Sequence, residues 1–388
     1  TEQRTAAQPE DRLPHVIVLL DRWEGFTSGL GDIDGGALHD QVLLLLREGA
    51  SVGVHLVLAG DRSLLSGRLS TMTEDKLVLR LADRTDYSLA GLVPRHLPEE
   101  IPPGRGFRAE SGEEVQVALL GSDPAGAAQA EDVRRLAAEV RARDTAVSRA
   151  RRPFRVDVLP ARLGFADAWR MRDDETPRPL WGMVGVGGDE LVALGPDLQR
   201  TAPTFVVAGP AKSGRSTVLL TMARSFLAQD ARVVIATPRA SPLRDLDGTP
   251  GVLAVFTGTE LTPEQLEEAL DTGGTPAVLL MDDAELLRDV SGKDWLRQFV
   301  RTCGDRRQAV VIAGNALEVC NGFTGWQVDI KKNRQGALLC PQQLTDSDLV
   351  GYRLPRSLIG GPVQPGRAHL HLGDGELVTV QVPLTTAG

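Results

Sequence analysis

Nine consecutive residues in the second half of the chain have the types and spacing to hold phosphate. Gly209-Pro-Ala-Lys-Ser-Gly214-Arg215-Ser216-Thr217 fits G-x-x-x-x-G-K-[S/T], with arginine where the lysine belongs. The pattern follows an apolar run, Thr204 to Ala208, and precedes a helical pattern from about Ser216 to Gln229. Strand, glycine loop and helix in that order let backbone N–H groups turn inward around an anion at a helix N-terminus. Gly209, Lys212, Ser213, Gly214, Arg215, Ser216 and Thr217 are therefore the candidate binding residues. Ser216 is placed to ligate a divalent cation. Arg215 keeps the positive charge of the expected lysine, but its fork is longer and planar, so its fit to a transferring phosphoryl group is poorer. Lys212 is either a second phosphate contact or a solvent-facing side chain.

Such a loop needs an acid at the end of a later buried strand. Asp282 follows Ala277-Val-Leu-Leu-Met281 and would hold the metal through water. The next position calls for a glutamate that orients water. Here it is Asp283, shorter by one methylene, about 1.5 Å of reach. Asp283 is thus a weak catalytic candidate. Glu285 is read as pointing elsewhere, on the expectation that the chain has already turned into a helix. The following strand, Ala309 to Ala313, leads to Gly314-Asn315, and Asn315 is a candidate γ-phosphate sensor.

The elements that must position these residues alternate between apolar runs and helical patterns, which predicts an α/β fold with mainly parallel sheets. Further strands are expected at Val16 to Leu20, Val54 to Ala59, Lys76 to Leu81 and Val233 to Ala236. A hairpin is expected at Leu180 to Val186 and Leu191 to Leu194, turning at Gly187-Gly188. Helices are expected from about His39 to Glu48, with Leu43 to Leu46 toward the core, and from Ala127 to about Arg143. Thr1 to Asp11 reads as unstructured.

An internal repeat organises the whole. VIVLLD at 16–21 matches AVLLMD at 277–282, an offset of 261 residues. VHLVLAG at 54–60 matches QAVVIAG at 308–314, at 254. Pro94-Arg95 matches Pro355-Arg356 at 261, and Pro103-Gly-Arg-Gly106 matches Pro365-Gly-Arg-Ala368 at 262. Four matches in one order indicate two copies of one domain. The first copy has Asp21-Arg22 where the second has Asp282-Asp283, and no phosphate loop precedes Val16. It is read as incomplete on its N-terminal side, with sheet edges left for missing sequence or a partner to cover.

Composition bounds the remaining options. The 388 residues carry a net charge of -9 and only 4% aromatics, so the core is aliphatic and the chain as a whole is no electrostatic match for nucleic acid or anionic membrane. Basic stretches at Arg149–Arg152 and Lys331-Lys332-Asn333-Arg334 read as solvated surface. Cys303, Cys320 and Cys340 are too few and too far apart for a disulfide framework and read as reduced core thiols. His369 and His371 share a strand face and read as surface residues. No run of 18 apolar residues is present.

These residues resemble the FtsK/SpoIIIE family of RecA-like motor ATPases, and most of all the EccC-type ATPases of actinobacterial type VII secretion. Leu77-Val-Leu-Arg-Leu-Ala-Asp-Arg-Thr-Asp86, Gly91-Leu-Val-Pro-Arg95 and Pro102-Pro-Gly-Arg-Gly106 carry the likeness most strongly. It spans Arg12 to about Phe107 and about Phe154 to Pro383. The resemblance implies tandem RecA-like P-loop NTPase domains. Residues 1–125 would be the C-terminal part of a first domain, 126–153 a helical linker, and 154–388 a second domain with a degenerate loop. It implies ATP and Mg2+ as ligands, Mg2+ at Ser216 and Asp282. Arg80, Arg84, Arg105 and Arg367 become candidate inter-domain arginines, against readings as surface ion pairs for the first two and structural turns for the others. Implied partners are other ATPase domains of the same motor or copies of this one, up to a hexamer, and an exported protein with a C-terminal signal peptide. The location implied is cytoplasmic, with membrane attachment only through other parts of the parent. Arg215, Asp283 and Asp21-Arg22 together resemble the degenerate modules of such proteins, so hydrolysis is expected to be weak or absent. Two other functions stay open: a DNA translocase fragment, and a scaffold that has lost its nucleotide.

Overall fold

A computed structural model describes residues 15–147, 152, 155–173 and 176–386. The N-terminal stretch expected to be unstructured, most of the basic stretch at 149–152 and Pro153 at the end of the expected linker lie outside the described residues. The chain divides into two compact units, Thr1–Pro153 and Phe154–Gly388.

The first unit holds β1 (Val16–Leu20), α1 (Trp23–Leu30), α2 (Ala37–Val52), β2 (Val54–Leu58), α3 (Gly67–Met72), β3 (Leu77–Leu79), β4 (Arg105–Arg108), β5 (Glu114–Gln116) and α4 (Gly126–Arg143). The second holds α5 (Phe165–Arg170), β6 (Gly185–Gly187), β7 (Val192–Leu194), β8 (Thr204–Ala208), α6 (Arg215–Leu227), β9 (Arg232–Ala236), β10 (Val252–Phe256), α7 (Pro263–Leu270), β11 (Ala277–Met281), α8 (Lys293–Thr302), β12 (Gln308–Gly314), α9 (Trp326–Lys331), β13 (Gly336–Leu339), β14 (Arg367–His371) and β15 (Leu377–Gln381).

In the second unit a ten-stranded sheet runs in the order β10-β9-β11-β12-β8-β13-β14-β15-β6-β7. The six strands from β10 to β13 are parallel to one another, and every pairing from β13–β14 to β6–β7 is antiparallel. The order places β12 between the loop-bearing β8 and the acid-bearing β11, the RecA-like arrangement. Every residue of β8, β11 and β12 is buried. Apolar clusters cover both faces of the sheet, one around Phe205, Met222 and Phe226, the other around Met281, Phe299 and Trp326. Continuous β-branched and aliphatic runs without alternation are what a sheet covered on both sides requires.

The repeat is present in the geometry, down to register. β1 pairs with β2 in parallel with Val16 opposite Val54, and β11 pairs with β12 with Ala277 opposite Gln308. Those are the same positions under the sequence offsets. β3-β4-β5 corresponds to β13-β14-β15: Leu79 faces Gly106 and Leu339 faces Ala368, while Arg105 faces Gln116 and Arg367 faces Gln381.

Three expectations are corrected in the first unit. β1 and β2 are not buried: Leu19 is 75% exposed and Val57 55%, because among the described residues these strands pair only with each other. In the second unit their counterparts are flanked by β9 and β8. The 76–81 run is not a further parallel strand; β3 sits in a separate antiparallel sheet, since an apolar run does not encode strand direction. Leu44 and Leu45 on α2 are likewise exposed rather than core.

The repeated Pro-Gly-Arg turn is a clasp. Gly104 and Gly366 both have positive φ, 78° and 79°. In each copy the arginine donates to the glutamine opposite: Arg105 Nε to Gln116 Oε1 at 2.9 Å, Arg367 Nη1 to Gln381 Oε1 at 2.8 Å. The glutamine amide then donates back to the turn proline's carbonyl, at 3.3 Å in both. Arg367 also donates to the carbonyls of Leu159 and Pro160, which fixes the opening segment of its unit. Arg367→Ala is expected to lower stability by about 2 kcal/mol, the scale of lost charge-assisted hydrogen bonds, with nucleotide affinity unchanged. Urea denaturation beside nucleotide titration checks this.

The cysteine reading holds for two residues. Cys303 and Cys320 are buried, and burial pushes their thiols up to about 11 and about 12. Both are expected to resist an aromatic disulfide reagent at pH 8 until the chain is unfolded, because the thiolate is the reacting form. Reaction of either thiol in the folded chain would contradict that burial. His369 and His371 are not surface residues; both are buried, bonded to Thr379 Oγ1 at 3.1 Å and to the Arg334 carbonyl at 2.8 Å. No group of three or more metal-ligating side chains occurs among the described residues. No helix among them is long and apolar enough to cross a membrane.

Candidate nucleotide-binding site

The loop after β8 is built around two glycines. A Cβ on Gly209 would lie 2.6 Å from Ser213 Oγ and 2.7 Å from the Leu339 carbonyl. Gly214 has φ 102° and caps α6. Lys212 also has positive φ, 63°, and its side chain is exposed. The left-handed residues tighten the loop against the N-terminus of α6, where the Gly214 carbonyl accepts from the Thr217 and Val218 N–H groups at 3.0 and 3.1 Å. Ser213 Oγ is buried without a partner. A bare cradle, an orphaned hydroxyl and a helix N-terminus together fit a phosphate group.

The metal-side residues meet directly. Ser216 donates to Asp282 Oδ2 at 2.7 Å. Ser241 donates to the same oxygen at 2.8 Å, and the Asp283 N–H donates to Oδ1 at 3.1 Å. Asp282 is only 3% exposed, so these donors are what keep its charge tolerable. Ser241 was not legible as a site residue, because only the parallel pairing of β9 with β11 brings the loop after β9 to Asp282.

Arg215 points to acid. Its guanidinium, about a tenth exposed, donates from Nη2 to Asp283 Oδ1 at 2.9 Å and from Nη1 to the Gly209 carbonyl at 3.1 Å. Nη1 also lies 3.8 Å from Glu285 Oε1. The loop's cation and the carboxylate in the water-orienting position thus neutralise one another.

Glu285 is a correction. It does not point elsewhere: Asp283 adopts a left-handed conformation at φ 45°, the chain tightens into a 3-10 turn, and the Glu285 side chain comes back to the site. Its Oε2 accepts from the Asn315 N–H at 3.3 Å. Burial pushes its pKa above the usual carboxylate value, against the pull of Arg215 and the Asn315 amide. Asn315 uses its own Oδ1 to accept from the Leu317 N–H at 3.0 Å. Among the described residues no hydrogen bond of the Thr217 side chain joins this network.

The first unit repeats the arrangement in outline. Arg22 is left-handed at φ 63°, as Asp283 is, and pairs with Glu24 at 3.2 Å. Glu24 and Glu285 are counterparts: a Cβ on Gly314 would run into Glu285 Oε2, and one on Gly60 would lie 3.2 Å from Glu24 Oε2, beside Trp23 and Leu64.

Three of the four arginines singled out for inter-domain contact have partners within their own unit. Arg84 donates to the carbonyls of Pro94, Leu97 and Pro98 at 2.6–2.9 Å, an account different from an ion pair with Asp83 or Asp86. Arg105 and Arg367 are held in the clasps. Arg80 is exposed.

Fold and site define the second unit as a P-loop NTPase-type domain of RecA-like order, and the first unit repeats its β11-β12 and β13-β14-β15 pairings. No family model matches the chain. It is 25% identical over 312 residues to the ESX-1 secretion system protein EccCb1 of Mycobacterium tuberculosis, covering 71% of this chain and 50% of that protein. The chain therefore spans about half the length of the curated relative it matches. Its fold is similar to that of EssC ATPases 2 and 3 from Geobacillus thermodenitrificans, with TM-score 0.66 at 18% identity over 98% of this chain and 73% of that one. It is also similar to Thermomonospora curvata EccC ATPases 2 and 3 in complex with a signal sequence peptide, with TM-score 0.54 at 19% identity over 99% and 71%. The resemblance read from the sequence holds: the chain is similar in sequence to an EccC protein and similar in fold to tandem ATPase domains of EssC and EccC.

Proposed function

We propose that this chain is an ATP-binding module of a type VII-like secretion motor, hydrolysing ATP weakly or not at all and serving control and substrate recognition. The observation that carries the reading is the Arg215–Asp283 pair. It leaves a phosphate cradle intact while the two groups a hydrolysing site needs free are bound to each other.

Gly209, Lys212, Ser213, Gly214, Arg215, Ser216 and Thr217 would surround the phosphates, with Asn315 at the strand end beyond. Ser216 and Asp282 would hold Mg2+, which supplies neutralisation of phosphate charge when bound. Asp283 lacks both the reach and the freedom to take a proton from water while Arg215 holds it. Nucleotide binding here would act on packing and assembly with neighbouring ATPase domains of the motor or further copies. The relative solved with a signal sequence peptide supports recognition of an exported protein's C-terminal signal by this module. Attachment to a membrane would come through the parent protein.

Thermal melts of the full chain with Mg-ATP test the binding half of the reading. Nucleotide at about 100 times its Kd stabilises by about 2.7 kcal/mol, an upward shift of roughly 5–10 °C for a unit of this size. A melt indifferent to ATP, ADP and Mg2+ would reduce the unit to a scaffold.

A further inference from the structure

At the end of the central strands opposite the phosphate loop, where α9 ends and β13 begins beside β8, a cleft of about 610 Å3 opens between residues 331–334 and 347–353. Four cations line it, Lys331, Lys332, Arg334 and Arg353, with Tyr352 and a single carboxylate, Asp348. The charge of Lys332 is met by Asp329 at 2.5 Å. Asp329 is already shared, lying 2.8 Å from Arg301 and 3.6 Å from Arg297. Lys331, Arg334 and Arg353 have no ion-pair partner among the described residues. The basic stretch read from sequence as a solvated surface is thus joined in space by Arg353, from a segment some twenty residues further along the chain.

The cleft is built rather than incidental. The Arg334 backbone is left-handed at φ 51°, and its carbonyl is fixed by His371 at 2.8 Å. Its aliphatic stem lies over Gly351, where a Cβ would come within 2.7 Å of Cδ. A buried histidine and a positive-φ glycine therefore fix the backbone and stem of Arg334 at the mouth of the cleft. The Tyr352 hydroxyl has no hydrogen-bond partner among the described residues, and its ring is seated against His371 at 5.5 Å.

We infer that this cleft binds a phosphate group of a small ligand or lipid, at a second anion site independent of the phosphate loop. Two guanidinium forks and an ammonium around one opening match the tetrahedral, multiply charged oxygens of a phosphate ester, which several planar donors can share. The volume lies within the range of ligand clefts. A carboxylate peptide offers one planar anion per residue and would leave most of this charge unmet.

Titration of the 15N-labelled full chain with inorganic pyrophosphate reads the two sites separately. Amides of 331–334 and 351–353 report the cleft; those of Gly209–Thr217 report the loop. Saturable shifts are expected at the cleft, weakened roughly tenfold or more in K331A/R353A while the loop's response stays unchanged. A second arm compares sedimentation with phosphatidylglycerol and phosphatidylcholine vesicles. Capture by the anionic vesicles alone, lost in the double variant without any pyrophosphate response, assigns the phosphate to a lipid headgroup. Cleft amides that respond to neither probe overturn the inference, as does a response at these amides to duplex DNA alone.

Discussion

Arg215→Ala is expected to cost about 2–3 kcal/mol of stability at pH 8 and clearly less at pH 5. The side chains of Arg215, Asp283 and Glu285 are 8–14% exposed, so water does little to replace the guanidinium. Removing one partner of a buried pair leaves carboxylates desolvated and uncompensated, typically 3–5 kcal/mol when burial is complete and somewhat less here. The pH dependence follows from Glu285. Burial already raises its pKa above 4.5, and Arg215 is one of the groups pulling the other way. Without Arg215 it rises further. A carboxyl with a raised folded-state pKa binds its proton more tightly folded than unfolded. Stability is then fullest below the unfolded pKa and declines as pH climbs through the folded one. Acid therefore relieves the variant by protonating Glu285. Urea denaturation at pH 5 and pH 8 checks this; a loss equal at both would remove Glu285 from the cluster. Arg215→Lys should recover part of the loss, since an ammonium keeps the charge but cannot fork across Asp283 and the Gly209 carbonyl.

The double variant R215K/D283E is expected to raise phosphate release to about 100-fold over the buffer control, where the wild-type chain stays at that control. A compact ammonium is the group that reaches terminal phosphates, and a glutamate restores the reach of the water-orienting carboxylate. A positioned general base contributes 10²–10⁴-fold. Backbone strain is the main objection, because position 283 is left-handed, where aspartate is better tolerated than glutamate. Arg22 answers it: in the first unit a long side chain occupies the corresponding position at φ 63°. Adding Glu285→Gln to the double variant should leave most of the gain. If release does not rise at all, the defect lies outside this pair.

What was legible in the sequence was whatever local pattern and repetition encode. The limits of β8 and β11 coincide with their apolar runs, and the repeat offsets carry over into the strand registers. The glycine loop and Asp282 were readable because their spacing is dictated by phosphate chemistry. What failed depended on partners. The apolar run of β1 looks buried, but exposure is decided by which strands flank it. Strand direction at β3 is set by the clasp sheet, which no apolar run announces. Glu285 reads as turned away if the helix continues, while a left-handed Asp283 redirects the chain. Ser241 and the cleft arginines are brought to their sites by sheet order alone. The direction of the Arg215 side chain was equally invisible. Sequence shows which residue replaces lysine, and only the structure shows that it is bound to the acid beside it.

The central claim is that the loop binds ATP while Arg215 and Asp283 hold each other out of catalysis. Phosphate release by the full chain at saturating Mg-ATP, with occupancy fixed by calorimetry on the same sample, tests it directly. A nucleotide-bound chain with no steady release above the buffer control is the result the pairing predicts. Sustained multiple turnover by the same sample would contradict it.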